Sequence, residues 1–372
     1  MRAGARARAD LKGGSPSLRR PDLTGDRPVP TALLLEALTP LLAVRLPGAR
    51  ISAISRTTAP YRSSWWLEDL SVSLDDGRIL EMVFKDLDRA TPGSFAHLAK
   101  PAHVLDASRE PWVYASVFEP LRKPHAIGSR DRPGEGPPVF WGASSGRGGD
   151  VRWLFLERIH GTPLSEIGSA DVWRDAAAWL GRFHVVMGSR RGPTGPLLRH
   201  DAEIHLEWFR RAIARAREST GPARFPNASW RRIRRAHSAA VRELMRDAGT
   251  LIHGEFYPSN ILVERWGRDW RIRPVDWEMA GVGPRLLDLA ALTCGGWSSQ
   301  ERAGMLRAYR GGMLDAGGKA EPMDRFLRNL TSCRLLLAVQ WLGWSAGWSP
   351  PLEHRHDWFL EAVRCAEELE AR

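Results

Sequence analysis

The sequence predicts an α+β fold in which a small antiparallel sheet precedes a larger, mostly helical part. Three observations carry this. Trp65 to Leu74 and Ile79 to Leu87 are β-rich runs joined by Asp75-Asp76-Gly77, and an Asp-Gly step between two such runs is a strong hairpin signal. From Asp171 the apolar residues Val172, Ala176, Trp179, Leu180, Phe183 and Met187 recur every three to four positions, which marks one face of a helix. Helical periodicity then dominates from Ser299 to Glu370.

The remaining elements follow in order. Residues 1–30 are rich in Arg, Pro and Gly and poor in large apolar groups, which predicts a disordered basic tail. Ala32 to Leu46 reads as a short helix, and strand character begins at Ile51. Thr91 to Pro120 is helical in parts. Pro138 to Ile159 holds two short apolar runs split by the Gly-rich stretch Ser144 to Gly149, a turn or hairpin loop. Further helices are expected over Asp201 to Ser219 and Trp230 to Asp247, followed by a compact mixed stretch from Leu251 to Ala290. The predicted division is the tail, an N-terminal lobe over 31–160 and a helical C-terminal lobe over 161–372.

At 372 residues with 43% hydrophobic content, the chain is long enough for two lobes of ordinary size. Its three cysteines, Cys294, Cys333 and Cys365, are odd in number and widely spaced. That pattern argues against a disulfide framework and a cysteine zinc site, and predicts a reducing, cytoplasmic setting. The longest apolar run, Leu335 to Trp344, is interrupted by Gln340 and Gly343 and is about half the ~18 residues of a membrane span. The net charge of +11 resides in the tail and in 185–248, where fourteen Arg face six acids. No nucleic-acid-binding module accompanies it, so it is read as a solvated Arg-rich helical surface and nucleic acid is not expected as a partner.

Chemistry concentrates in His253-Gly254-Glu255-Phe256-Tyr257-Pro258-Ser259-Asn260-Ile261-Leu262. Asp276-Trp277-Glu278 begins sixteen residues after Asn260, and Asp288-Leu289-Ala290 follows. This order supplies an acid, an amide five residues later and a second acid beyond a hairpin. Phosphoryl transfer needs a carboxylate facing the attacking hydroxyl, and an amide oxygen and a carboxylate to hold Mg²⁺ against phosphate oxygens. Ile272 and Val275 place Asp276 at the end of a short strand.

The pattern H-G-x-x-x-x-x-N-x-L, then D-W-E-x-A-x-x-G, then D-L-A resembles the aminoglycoside phosphotransferase family, which is related to choline kinases and more distantly to protein kinases. The resemblance implies a protein-kinase-like two-lobe fold and a small-molecule kinase that moves the γ-phosphoryl of ATP or GTP to an alcohol. It also implies Asn260 and Asp276 as Mg²⁺ ligands and Asp288 as a structural acid bonded to the catalytic loop. The chain departs from the family at Glu255, where Asp is usual. Two readings follow: a loop shaped to the longer acid, with Glu255 as the catalytic base, or a catalytically weak or silent nucleotide-binding protein. A protein kinase is disfavoured because H-R-D, D-F-G and A-P-E elements are absent.

On the nucleotide side, Lys85 projects from the alternating run Leu80 to Lys85. With the downstream motifs in place, it is the expected phosphate lysine. The resemblance points to Glu110 as its partner, and Pro111 puts Glu110 at a helix start. The segment Thr57 to Ser64 offers backbone N–H groups and the Ser63 or Ser64 hydroxyl to phosphates. Trp153 to Ile159 resembles the strand leading into an interlobe hinge, where backbone groups near Glu157 to Ile159 would meet the nucleobase. On the acceptor side, 185–248 are basic and 296–372 balance ten bases against ten acids, which disfavours a polycationic acceptor. Trp341, Trp344 and Trp348 fall at helical spacing and either stack on an acceptor or pack in the core. His354 and His356 are read as solvated. The sequence names neither the acceptor nor the oligomeric state.

Overall fold

The computed structural model describes residues 29–59, 64–90, 100–101, 104–121, 134–145, 153–188, 195–218, 227–246, 249–344 and 356–371. Most of the predicted tail and the Gly-rich stretch after Ser145 lie outside the described residues, as do Ser63, Trp348 and His354.

The first lobe is built on a five-stranded antiparallel sheet in the order β1-β2-β3-β5-β4, formed by β1 (Ile51–Thr58), β2 (Trp65–Leu74), β3 (Ile79–Ala90), β4 (Phe140–Ser144) and β5 (Trp153–Glu157). The Asp-Gly signal marks the β2–β3 hairpin, in which Ser73 pairs with Ile79 and Leu67 with Lys85. Helix α1 (Thr31–Arg45) lays Leu34, Leu38 and Leu42 on one face of this sheet, against Leu70, Val72, Met82, Phe84 and Phe155. Strand alternation turns Phe84 toward α1 and sends Lys85 to the opposite face. The helical signal near Glu110 resolves into α2, a short turn over Arg109–Trp112 that continues as a π-helical turn over Val113–Phe118.

The second part is helical. It comprises α3 (Ala170–Gly188), α4 (Ala202–Glu218), α5 (Asn227–Leu244), α6 (Leu286–Leu292), α7 (Ser299–Asp315), α8 (Met323–Leu342) and α9 (Trp358–Ala371). All six residues of the predicted α3 face are buried. Helices α3 and α7 approach backbone to backbone: a Cβ at Gly181 would meet the Tyr309 carbonyl, and one at Gly312 the Ala178 carbonyl. Helix α7 opens with a capping box, in which Ser298 and Glu301 exchange hydrogen bonds with each other's backbone.

Two small sheets carry the motif region. β9 (Ile261–Trp266) and β10 (Asp269–Pro274) form a hairpin with β6 (Thr162–Pro163) at its edge. β11 (Gly281–Gly283) sits between β7 (Leu198–Arg199) and β8 (Thr250–Ile252). No helix among the described residues is long and apolar enough to cross a membrane.

The fold buries His200 beside β11, and His205 and His237 on α4 and α5, and the Nε2 of each has no hydrogen-bond partner among the described residues. Burial lowers all three, His200 and His237 to about 4 and His205 well below its usual value. They are neutral in the fold and become protonated near pH 6.5 once unfolded. Their contribution to stability is therefore complete above about pH 6.5 and is lost as pH falls from there toward 4, by up to about 1.4 kcal/mol per pH unit for each histidine. Denaturant unfolding at pH 8, 6 and 5 should show this decline, and equal midpoints at all three would contradict it.

Candidate functional site

The site forms where the free face of the first sheet meets the motif loops. Lys85 is buried, and its Nζ donates to Glu110 Oε2 at 2.6 Å and to Asp276 Oδ1 at 2.6 Å. Glu110 sits in the first turn of α2, and its Oε1 accepts the Trp277 N–H at 3.1 Å. One cation and one acid thus tie the sheet, α2 and the Asp-Trp-Glu segment together. Burial raises the Glu110 pKa despite the adjacent ammonium, and the two carboxylates hold Lys85 well above its usual value against the effect of burial.

Asp276 is presented by an unusual backbone. It lies two residues beyond β10 with φ 63° and ψ 64°, and is the one non-glycine with positive φ among the described residues. Asp tolerates the left-handed region better than most residues, and such geometry concentrates at functional sites. Trp277 anchors the turn: its ring lies 4.6 Å from Phe118, 5.4 Å from Phe183 and 4.4 Å from His253, centroid to centroid. The Asp276 side chain keeps 24% of its surface open, whereas those of Lys85 and Glu110 keep 6% and 2%. Asp276 is therefore the accessible oxygen donor of the three.

The catalytic-type loop is held from below. Asp288 is fully buried; its Oδ2 accepts the His253 N–H at 2.8 Å and its Oδ1 the Gly254 N–H at 2.9 Å, the loop contact the family resemblance implies. His184 Nε2 lies 3.2 Å from the same carboxylate. Burial would raise Asp288, but these donors lower it. His253 is neutral: burial lowers its pKa, its Nε2 faces the Val275 carbonyl at 2.9 Å, and its Nδ1 accepts the Glu255 N–H at 3.3 Å. Gly254 adopts φ +83°, and a Cβ there would strike the Met279 carbonyl, so the loop requires glycine at this position. Half-buried Asn260 donates from Nδ2 to the Glu255 carbonyl at 3.0 Å, which commits its amide nitrogen and leaves Oδ1 as an available ligand oxygen.

Glu255 is buried, and its Oε2 accepts from Lys100 Nζ at 3.1 Å. The same ammonium donates to Glu278 Oε1 at 2.5 Å, and that oxygen also accepts the Ser64 hydroxyl at 2.7 Å. Burial raises the Glu255 pKa in spite of Lys100, and it would raise Glu278 as well, but Lys100, Lys85 and Ser64 hold Glu278 low. The sequence reading offered the Ser64 hydroxyl to phosphates; instead it is buried against Glu278.

At the end of β5, the N–H groups of Glu157 and Arg158 are committed to the Val139 and Glu81 carbonyls, at 2.8 and 3.1 Å. The Glu157 carboxylate accepts from Arg273 at 2.5 Å and from the Val139 N–H at 2.9 Å. Its side chain therefore braces β10, and Ile159 follows, also buried. Trp341 packs in the core between Trp344 and Trp358, with centroids at 5.4 and 5.1 Å, and Trp344 lies 5.8 Å from Lys100 Nζ. His356, expected to be solvated, is half-buried with its ring edge on Trp358.

Three basic residues at this junction escaped the sequence reading. Lys100 carries no motif. Arg109 is buried and donates to the Val104, Pro196 and Glu278 carbonyls. Arg273 joins Glu157, Glu264 and the Gly136 carbonyl. Apart from Val104, 5 residues from Arg109, and Glu264, 9 residues from Arg273, their partners are backbone oxygens and acids far away in sequence, and no local spacing reports such contacts. Arg109 did stand beside a residue of interest, Glu110, and a basic residue entering a buried helix start was the one available signal.

A sheet lobe supplying a lysine, a short helix supplying its acid, and a loop and turn supplying an amide and two carboxylates define a protein-kinase-like phosphotransferase fold. The chain belongs to the phosphotransferase enzyme family, whose model matches residues 128–323. Among solved structures, it is similar to a choline kinase from Cryptosporidium parvum, with 13% identity and a TM-score of 0.53 over 92% of this chain and 95% of that one. It is also similar to a microcompartment-associated aminopropanol kinase, with 15% identity and a TM-score of 0.52 over 88% and 93% of the two chains. A third is an amicoumacin kinase in complex with AMP-PNP and Ca²⁺, with 11% identity and a TM-score of 0.51 over 85% and 88%. At these identities the likeness is one of fold. No curated protein matches the chain.

Proposed function

We propose that the protein is a small-molecule kinase that transfers the γ-phosphoryl of ATP or GTP, bound as its Mg²⁺ complex, to the hydroxyl of a small, non-polycationic alcohol. The observation that carries this reading is the Lys85 bridge between Glu110 and Asp276, beside a loop that presents Glu255 and Asn260. In the reaction, the bond between the γ-phosphorus and its bridging oxygen breaks, and that oxygen keeps the electron pair on the nucleoside diphosphate. A new bond forms from phosphorus to the acceptor oxygen, whose proton passes to Glu255.

The residues fit Mg²⁺ by donor chemistry. Asp276 and Asn260 offer one carboxylate and one amide oxygen, and Mg²⁺ in such sites takes one or two protein carboxylates, with phosphate and water completing its shell. The metal supplies charge neutralisation on the phosphates. Lys85 adds a fixed cation for the α- and β-phosphates, and Glu110 and the Trp277 N–H hold that pair in register. At the hinge, with the Glu157 and Arg158 N–H groups already used, the Glu157 carbonyl and the Ile159 N–H are the groups assigned to the nucleobase edge. The free cysteines Cys294, Cys333 and Cys365 suit the cytoplasm.

The test is calorimetry of ATP and GTP with and without Mg²⁺, followed by transfer assays against a panel of hydroxylated metabolites and antibiotics. Metal-dependent binding of one nucleotide and phosphorylation of at least one alcohol are expected. A chain that binds neither nucleotide would overturn the reading.

A further inference from the structure

We propose that Lys100 is a built-in cation of the acceptor side: it positions the Glu255 carboxylate and weakens the pull of the site's carboxylates on acceptors that carry an ammonium beside the reacting hydroxyl. This rests on the kinase reading above and extends it to a residue outside every motif in the chain.

Lys100 is 5% exposed and its ammonium bridges two buried carboxylates, Glu255 and Glu278. A lysine is rarely buried to this degree unless it is paired. It stands apart from Lys85, which has its own acids, so the site holds two separately paired ammonium groups. The Lys100 contact falls on Glu255 Oε2; Oε1 has no hydrogen bond among the described residues and is the oxygen left to take the acceptor's proton. Glu278 is fixed in turn by the Ser64 hydroxyl and, through its carbonyl, by Arg109. Lys100 is therefore held from Glu278 and in turn holds Glu255, which accounts for a longer acid where the family usually has Asp. The extra methylene brings the carboxylate to the ammonium.

The same geometry bears on acceptor charge. A hydroxyl within reach of Glu255 lies a few ångströms from the Lys100 ammonium. An acceptor ammonium one or two bonds further on would meet a like charge in a largely desolvated setting. At about 6 Å that repulsion is worth on the order of a hundredfold in affinity, and the attraction of the two carboxylates opposes it, so Lys100 lowers the site's preference for an ammonium without reversing it. Without Lys100, two carboxylates would face the acceptor uncompensated and would favour a cation.

The experiment uses the full chain with Mg·ATP and two probes that differ by one ammonium, glycerol and 3-amino-1,2-propanediol, with hydrolysis to water as a third acceptor. Wild type sets the reference preference between glycerol and the amino diol in kcat/KM. Lys100→Met, similar in length but uncharged, should lower kcat for glycerol more than it raises KM, and shift the preference toward the amino diol by about tenfold or more. Lys100→Arg should keep the wild-type preference. An unchanged preference in Lys100→Met overturns the proposal. So does an unchanged preference in Lys100→Gln, which decides the matter if Lys100→Met does not fold. A wild-type chain that binds Mg·ATP yet turns it over with none of the three acceptors overturns it too, whereas one that binds no nucleotide overturns the kinase reading itself.

Discussion

Asp276→Asn is expected to abolish Mg²⁺-dependent nucleotide binding while leaving the chain folded. Asp276 occupies the left-handed backbone region at φ 63°, which Asn tolerates and most other residues resist. Asn is therefore a cleaner probe than Ala, which would add backbone strain to the loss of the ligand. The substitution removes the negative charge that faces Lys85 at 2.6 Å and leaves the lysine to Glu110 alone. It also replaces the more accessible carboxylate of the cluster with a neutral amide, and a hard dication binds that oxygen far less strongly. Losing one member of a buried charge set costs roughly 2–5 kcal/mol, so Mg·nucleotide affinity should fall by about a hundredfold or more. Calorimetry with Mg·ATP measures the loss, and thermal unfolding confirms the fold. An unchanged affinity would remove Asp276 from the metal site.

Glu255→Gln should lower kcat by roughly 10²–10⁴-fold with nucleotide affinity nearly intact. Gln preserves size and hydrogen bonding but cannot take the acceptor's proton. The phosphates do not require this side chain in the ground state, so kcat should fall far more than nucleotide affinity. Glu255→Asp separates the two readings of the departure from the family. Glu255 reaches Lys100 at 3.1 Å through its full length. A shorter acid withdraws by about 1 Å, enough to cost ~10²-fold where placement matters. A fall in rate is the expected result. A gain on Glu255→Asp, from an undetectable wild-type rate, would instead mean a decayed site that the shorter acid repairs.

The sequence determined more of this protein than its low identity to solved structures suggests. The β2–β3 hairpin was legible because an Asp-Gly turn and strand alternation are local signals. The α3 face was legible because six apolar residues kept a helical period, and all six are buried. Glu255, Asn260 and Asp276 stood out because a motif fixes residue types at short range, Lys85 because it ends an alternating strand run, and Glu110 through the family resemblance; the structure brings these residues to one junction between sheet and loops. Beyond the expected pairing of Lys85 with Glu110, tertiary structure alone decided how their charges are compensated. Lys100 meets Glu255 across 155 positions and Glu278 across 178, and Ser64 meets Glu278 across 214. Spacing along a chain carries no information about such pairs. It was burial that turned Ser64 from a phosphate candidate into a brace, Trp341 into core and Glu157 into an anchor for Arg273. Composition set the solvated charge of the surface, but the low-dielectric junction between the lobes required each buried carboxylate to find a cation or an N–H donor, and only the folded chain could say which.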